Sequence, residues 1–172
     1  MVVPNLRVEK ELDFSCAPYS AIEDSAKSKI SKLNNGHLKQ LLEIEKLSYP
    51  NPWSEALIAA EIESRVGFSF VLEAEGSLVA YCFAHLVAED IEILNICVCP
   101  KMRGRGYASK LLSSVLSEAV LKGAKIAHLE VRPSNAAALR LYKQFLFKRV
   151  AVRLRYYSDN KEDAWIMSAD II

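Results

Sequence analysis

The stretch that decides the fold lies near the middle of the 172-residue chain and runs Asn95-Ile96-Cys97-Val98-Cys99-Pro100-Lys101-Met102-Arg103-Gly104-Arg105-Gly106-Tyr107-Ala108-Ser109. Its first residues end a nearly continuous apolar run over residues 91–98, which is typical of a central, buried strand. Its last residues begin a helix, because apolar side chains then recur at i, i+3, i+4 and i+7 as far as Val120. The pattern predicts a strand, a glycine loop and a long helix ended by Gly123.

This loop has the properties of an anion site. Gly104 and Gly106 allow positive φ angles and let a ligand approach the backbone closely. The loop opens a helix, so its unpaired N–H groups and the helix dipole point at one place, which suits phosphate. Arg103 and Arg105 add positive charge at the rim. The alternative is a glycine-rich turn that merely starts a helix.

Two common phosphate loops are excluded. The chain contains no G-x-x-x-x-G-K-[ST] string, which a Walker A loop requires. A dinucleotide fingerprint needs a third glycine where Ser109 stands, and the preceding strands are predicted to form hairpins instead of a βαβ unit.

Outward from this unit, the chain predicts an α/β domain with a mixed sheet and helices on both faces. Upstream, proline breaks and hydrophobic spacing predict a strand, two helices and two strands at residues 30–33, 37–46, 54–63, 68–73 and 78–87. Downstream they predict a strand, a helix and two strands at residues 126–131, 135–145, 147–157 and 162–169. Residues 1–28 are treated as an extension with a strand-like alternation over Leu6 to Phe14, and residues 29–172 as the domain.

A second group of polar residues follows the strand at residues 126–131. Glu130 lies near the carboxyl end of that strand, where open α/β sheets bind ligands. Asn135 begins the next helix, and Tyr142 lies two turns later on the same predicted face. Each also has a structural interpretation: a solvated strand-end charge, a helix N-cap and a core tyrosine with a satisfied hydroxyl.

Four segments carry a family resemblance: Asn95-Ile96-Cys97-Val98 with Arg103-x-x-Gly106-x-Ala108, Leu129-Glu130-Val131-Arg132-Pro133-Ser134-Asn135-Ala136-Ala137-Ala138, Arg155-Tyr156-Tyr157 with Glu162-Asp163-Ala164-Trp165-Ile166-Met167, and Pro52-Trp53-Ser54. They resemble the GNAT acetyltransferases, and within them the bacterial ribosomal-protein-alanine N-acetyltransferases that modify the N-terminus of small-subunit protein S18. The resemblance covers about residues 30–172. It implies the GNAT fold, a mixed and mostly antiparallel central sheet with helices on both faces.

The resemblance also implies roles for individual residues. Acetyl-CoA would be bound by the strand and loop and by Asn135, the positions being Ile96, Cys97, Val98, Arg103, Gly104, Arg105, Gly106, Tyr107, Ala108 and Ser109. Glu130 would be the general base and Tyr142 the general acid. Pro52, Trp53, Tyr156 and Tyr157 would border a peptide whose N-terminal amine is acetylated, with S18 as the expected partner.

The chain departs from the family pattern at a few positions near the peptide side. Leu146 stands where glycine is usual, so a left-handed helix end there would carry a strained β-carbon at about 1–2 kcal/mol. Arg155 replaces an asparagine, Leu154 an arginine and Ser158 a proline. These changes bear on the substrate more than on the chemistry.

The chemistry suits these groups, but alternatives remain. A carboxylate can deprotonate an α-amine, whose pKa is near 8, more readily than lysine, whose pKa is about 10.4. A backbone N–H near Val98 can stabilise the oxyanion, and Tyr142 can protonate the leaving thiolate. Glu92 is the rival base, and acetylation of lysine or a small amine and a silent acetyl-CoA-binding module are the rival functions.

Composition sets the remaining expectations. The net charge of +1 gives no global reason to expect nucleic acid or a membrane surface as a partner. The four cysteines form no C-x-x-C pair, so we expect structural thiols and no metal. The N-terminus lacks the order of a secretory signal, and a cytoplasmic location is expected.

Overall fold

A computed structural model describes residues 28–171 of the chain. Seven strands form one sheet: β1 (Ser28–Lys32), β2 (Phe70–Ala74), β3 (Ser77–Val87), β4 (Asp90–Val98), β5 (Ile126–Val131), β6 (Lys148–Arg153) and β7 (Ala164–Asp170). The α-helices in this range are α1 (Leu38–Ser48), α2 (Glu55–Ile62), α3 (Tyr107–Leu121) and α4 (Ala136–Gln144). Short 3-10 helices span Asn35–His37 and Pro100–Met102.

The predicted fold class and order of elements are confirmed. Strand β5 has the predicted bounds, and most other elements differ by one or two residues at an end. Strand β6 is the exception, because it ends at Arg153 and not near residue 157. Arg155 adopts a left-handed conformation with φ 53°, and its N–H is bound by the Asp163 carboxylate at 2.8 Å, which turns the chain out of the sheet. The strand-like stretch within residues 1–27 lies outside the described residues.

The sheet has the order β1-β2-β3-β4-β5-β7-β6, with β4 at its centre as predicted. All neighbouring strands are antiparallel except the β4–β5 pair. That parallel pairing ends at Ile93 opposite Leu129, although β4 continues to pair with β3 as far as Val98. The second half of β4 therefore diverges from β5 and opens a gap in the sheet, called here the β4–β5 gap.

Helices cover both faces. On the α3 face, α3 and α4 pack on the sheet, and Leu111, Leu112 and Val115 meet the small residues Ala80 and Cys82 of β3. On the opposite α1 face, Leu41, Ile44 and Ile58 of α1 and α2 pack with Tyr81 and Phe83. The alternation of side chains along β3 assigns small residues to one face and aromatic ones to the other, so the two cores differ in character.

Helix α4 ends at a left-handed residue, the conformation considered above for Leu146. Leu146 has φ 62°, and the N–H of Phe147 bonds back to the carbonyl of Tyr142 at 3.0 Å. This is the left-handed helix end that usually takes glycine.

Candidate active site

The glycine loop joins the end of β4 to the start of α3. Gly104 and Gly106 both have φ 79°, and Gly106 is the N-cap residue of α3, whose first N–H groups donate to no capping side chain. A β-carbon at Gly104 would meet no atom within 4 Å, so backbone conformation and not space requires glycine. Arg105 is exposed, whereas Arg103 donates from Nε to the carbonyl of Val98 at 3.2 Å. Uncapped N–H groups beside Arg105 fit a phosphate group.

The other positions expected at the cofactor site divide by side-chain burial. Ile96 and Val98 pack against the α3-face core, while Cys97 is buried on the α1 face. Tyr107 is buried in the core, so it and Cys97 can offer a ligand only their backbone groups. Ala108 and Ser109 are half-buried in the first turn of α3. Beyond Ile93 the β4 backbone has no β5 partner, which leaves an edge that an extended ligand can pair with.

Glu130 lies on β5 at the edge of the β4–β5 gap. Its side chain is 22% exposed and points to the α1 face, since Leu129 and Val131 point into the α3-face core. Arg153 of β6 forms an ion pair with it, with 2.5 Å between Nη1 and Oε1. The hydrogen bond to Glu130 raises the pKa of the Tyr156 hydroxyl. The carboxylate is thus held at the edge of the gap by the Arg153 cation.

Tyr142 lies on helix α4, which packs on the α3 face of the sheet. The residue is 5% exposed in the α3-face core, and its ring centroid is 5.7 Å from that of Phe147. Burial raises the pKa of its hydroxyl, and the neighbouring Tyr157 adds to the shift. The phenol therefore keeps its proton at neutral pH, as a proton donor must.

Asn135 is the residue that directly precedes helix α4. It is the N-cap of α4, with φ −81° and ψ 71°, and its Oδ1 accepts a hydrogen bond from the Ala138 N–H at 3.1 Å.

Tyr156 and Tyr157 lie in the loop between β6 and β7, with ring centroids 5.2 Å apart. The Arg132 guanidinium stacks 3.6 Å from the centre of the Tyr157 ring and pairs with Asp159 at 2.9 Å and Glu162 at 3.2 Å. Glu162 also accepts from the N–H of Ser134 at 2.9 Å. The loop is thereby tied to the segment between β5 and α4.

Arg132, Glu162 and Arg153 were missed as site residues by the sequence analysis. Arg132 and Glu162 fall in segments that carry the family resemblance, but their contact spans 30 positions of sequence. Periodicity and local motifs contain no signal for such a pairing. The role of Arg153 likewise depends on how β6 pairs beside β7.

A cavity of about 380 Å³ opens on the α1 face beside Glu130. Its lining includes Glu92, Asp90, His85 and His128 as well as Arg153. Glu92 and Glu130 face the same space, so their positions do not separate the two candidate bases. No group of three or more potential metal ligands occurs within residues 28–171.

Pro52 and Trp53 lie in the loop between α1 and α2. Trp53 stacks on Phe83 of β3, with 5.0 Å between ring centroids, and its backbone N–H donates to the Glu45 carboxylate at 2.9 Å. The loop is therefore fixed on the α1 face.

Comparisons with known proteins decide the family. The model of the Acetyltransferase (GNAT) family matches residues 38–147, which include the glycine loop, Glu130 and Tyr142. The chain belongs to the GNAT family. It is an N-acetyltransferase, as its named relatives are.

The relatives of this GNAT enzyme narrow its place in the family. It is 33% identical over 144 residues to the [ribosomal protein bS18]-alanine N-acetyltransferase of Escherichia coli K12, covering 83% of this chain and 97% of that protein. The crystal structure of the Escherichia coli ribosomal-protein-S18-alanine N-acetyltransferase superposes with a TM-score of 0.79, at 32% identity over 84% of this chain and 94% of that one.

The structure of yncA from Salmonella typhimurium with its cofactor acetyl-CoA has a TM-score of 0.72 at 20% identity, over 84% of this chain and 94% of that one. GNAT neighbours of this chain thus bind acetyl-CoA or CoA. Among residues 28–171, no helix is both long and apolar enough to cross a membrane.

Proposed function

We propose that this GNAT enzyme transfers the acetyl group of acetyl-CoA to the N-terminal α-amine of a protein, namely the N-terminal alanine of ribosomal protein S18. The observation that carries the proposal is the Glu130 carboxylate at the edge of the β4–β5 gap, paired with Arg153 and interacting with Tyr156. The protonated hydroxyl of Tyr142 is the second group that the chemistry needs. The relatives named for S18 alanine acetylation support the choice of substrate.

The residues present fit acetyl-CoA. The left-handed Gly106 and the uncapped start of α3 would hold the pyrophosphate, with Arg105 at the rim. The free edge of β4 at Ile96 and Val98 would pair with the amides of the pantetheine arm. Asn135 would contact the coenzyme with the part of its amide that does not cap α4. Acetyl-CoA supplies the activated acetyl thioester.

Glu130 acts as the general base. Its carboxylate removes a proton from the incoming ammonium, directly or through a water molecule, and leaves a neutral amine that can attack. An α-amine has a pKa near 8, so this step is easier than for a lysine side chain with a pKa of about 10.4. Tyr156 and Arg153 orient the carboxylate towards the gap.

Tyr142 acts as the general acid. Its buried hydroxyl carries a proton at neutral pH and would donate it to the departing thiolate. A backbone N–H near Val98 stabilises the negative charge on the carbonyl oxygen. The scheme requires no metal and no covalent enzyme intermediate.

The proposal extends to the setting of the reaction. Pro52, Trp53, Tyr156 and Tyr157 border the peptide, and the reaction takes place in the cytoplasm without nucleic acid or membrane as a partner. Residues 29–172 form the catalytic domain, and residues 1–28 are an extension to it.

Mass spectrometry of a peptide panel tests this function. The enzyme and acetyl-CoA are incubated with a peptide that begins with the S18 alanine, the same peptide with a blocked N-terminus and an internal lysine, and a small diamine. We expect acetylation of the free α-amine alone. Acetylation of the blocked peptide at its lysine would favour the alternative of a lysine acetyltransferase, and no product from any amine would favour a silent acetyl-CoA-binding module.

A further inference from the structure

A buried carboxylate lies apart from the groups assigned to the reaction. Glu45 of α1 has 0% of its surface exposed, and within residues 28–171 no lysine, arginine or histidine pairs with it. A buried charge without a counter-ion persists only when several hydrogen-bond donors surround it.

Three donors from three parts of the chain surround this carboxylate. The backbone N–H of Trp53, in the α1–α2 loop, donates to Oε2 at 2.9 Å. The Tyr81 hydroxyl of β3 and the Asn95 amide of β4 donate to Oε1, the amide at 3.2 Å. The Tyr49 hydroxyl then donates to the Asn95 carbonyl at 2.8 Å. We call these five residues the Glu45 network.

The two phenols of the Glu45 network are fixed as donors. Burial raises the pKa of both Tyr49 and Tyr81, so neither ionises in the neutral range. Their protons go to the Glu45 carboxylate and the Asn95 carbonyl, while the Tyr81 oxygen also accepts from the Asn95 amide at 3.4 Å.

Asn95 lies where the pairing of β4 with its neighbouring strands becomes irregular. The register between β3 and β4 shifts by one residue between Ile93 and Asn95, and pairing of β4 with β5 ends at Ile93. Asn95 is thus the first paired residue of β4 beyond this irregularity, in the part of the strand that borders the β4–β5 gap. Its amide is held by Glu45 and its carbonyl by Tyr49.

The same carboxylate also holds the α1–α2 loop. Trp53 stacks on Phe83 at an interplanar angle of 21°, and its backbone is tethered to Glu45. Well-packed apolar residues can match the stability of a buried charge, so stability alone does not require a carboxylate here. The specific effect of Glu45 is to hold the loop and the strand at one separation.

We propose that Glu45 is a positioning residue that fixes the α1–α2 loop against the part of β4 bordering the gap, and thereby sets the affinity for the acceptor peptide. The inference rests on the proposed function, since it takes the loop and the gap as the two walls of the acceptor site. Glu45 touches neither substrate nor cofactor, so it acts on peptide binding through Trp53 and Asn95.

Glu45→Gln is the direct test. The amide offers one acceptor oxygen where the carboxylate offers two, so either Trp53 or the Asn95–Tyr81 side loses its partner. We expect KM for the alanine peptide to rise about tenfold, as for a lost hydrogen bond to a charged group. The turnover number kcat and the Kd for acetyl-CoA should stay close to wild type. Glu43→Gln, an exposed glutamate of the same helix, is the matched control.

Exchanging the carboxylate and the amide between positions 45 and 95 should rescue peptide binding. In Glu45→Gln with Asn95→Asp, the glutamine oxygen accepts from Trp53 while its amide donates to the new carboxylate, which also accepts from Tyr49 and Tyr81. The peptide KM should return towards the wild-type value. If Glu45→Gln does not fold, Asn95→Asp alone places two carboxylates side by side and is assayed in the same way.

Fluorescence separates this inference from the proposed function. The chain has two tryptophans, so a Trp165→Phe background leaves only Trp53 as a reporter of the loop. Acrylamide quenching of Trp53 should increase in Glu45→Gln. It should return towards the wild-type level in the double variant Glu45→Gln with Asn95→Asp. A wild-type enzyme that acetylates no peptide would contradict the proposed function only, and the quenching result would then decide the inference. A folded Glu45→Gln variant with wild-type quenching and wild-type peptide KM, or a rise in KM that the exchange does not reverse, would overturn it.

Discussion

Tyr142 is a buried phenol whose ring and hydroxyl have separable roles. The ring packs against Phe147 in the α3-face core, and burial keeps the hydroxyl protonated. Tyr142→Phe retains the packing and removes the proton. We expect kcat to fall by about 10²-fold, within the range for a lost general acid, while the Kd for acetyl-CoA is kept. Steady-state kinetics with a melting curve would measure this, and an unchanged kcat would leave Tyr142 as a packing residue.

Leu146 shows a local conflict between residue type and backbone. Its φ of 62° costs a β-carbon-bearing residue about 1–2 kcal/mol, and its side chain is 59% exposed, so little burial compensates. Glycine recovers this strain and loses about 0.5–1 kcal/mol of chain entropy. Leu146→Gly should therefore raise the free energy of unfolding by up to about 1 kcal/mol.

Urea unfolding measures this change, with Leu121→Gly as its control. Leu121 is also exposed, at 78%, but ends helix α3 with a right-handed conformation. Glycine there should destabilise by about 1 kcal/mol. Equal effects of the two substitutions would show that the left-handed backbone is not the cause.

At the scale of elements, the β6–β7 loop depends on ionised Glu162. Hydrogen bonds from Ser134 and the contact with Arg132 lower the pKa of Glu162 to about 2, below its ordinary value of 4.5. Because the folded pKa is depressed, the stabilisation is complete above the unfolded pKa and is lost as pH falls from about 4.5 to about 2. Wild type should lose more stability than Glu162→Gln over this interval.

Thermal melts between pH 5 and about pH 2 would follow that difference, across the interval that the linkage predicts. Glu118→Gln, which changes an exposed glutamate on α3, should keep the wild-type pH dependence. If Glu162→Gln kept it as well, the loop network would contribute nothing to acid stability.

Elements were predictable where a local signal was strong. The apolar run of β4, the glycines and the spacing along α3 predicted the central unit, and β5 was placed to the residue. The predicted strand β6 was too long, because the left-handed conformation of Arg155 leaves no signal in the hydrophobic alternation. The position of Asn135 was predicted correctly at the start of α4, where it is the N-cap.

At the scale of the whole molecule, the sequence predicted the fold class but not the contacts that complete the site. The divergence of β4 from β5 depends on which strands pair, and the Arg132–Glu162 and Glu45–Asn95 contacts join residues 30 and 50 positions apart. Such contacts follow from the assembled sheet. Glu130 and Tyr142 were proposed from local motifs, whereas the unpaired edge of β4 beside Glu130 could not be predicted from them.

Ligand binding by the whole domain gives a further prediction. Acetyl-CoA at a concentration of 100 Kd should raise the free energy of unfolding by about 2.7 kcal/mol. The melting temperature should rise accordingly. ATP and NAD should have much less effect, since they cannot pair along the free edge of β4. Gly106→Ala, at φ 79°, should weaken the acetyl-CoA shift. Stronger stabilisation by NAD than by acetyl-CoA would contradict the cofactor assignment.

The pH–rate profile of Glu130→Gln is the most direct test of the mechanism. Glutamine keeps the shape of the side chain but accepts no proton, so the variant should lose most of its rate at pH 7 on a peptide with a free N-terminal alanine. Part of the rate should return as pH rises through about 8, where the α-amine deprotonates unaided.

Glu92→Gln, in the same cavity, is the matched comparison and should retain a wild-type profile. The profiles of wild type and both variants, measured on free and blocked peptides, therefore decide the central claim. The account predicts a loss confined to Glu130→Gln and to the free α-amine, with recovery above pH 8. A loss confined to Glu92→Gln, or equal wild-type rates on a blocked peptide with an internal lysine, would contradict it.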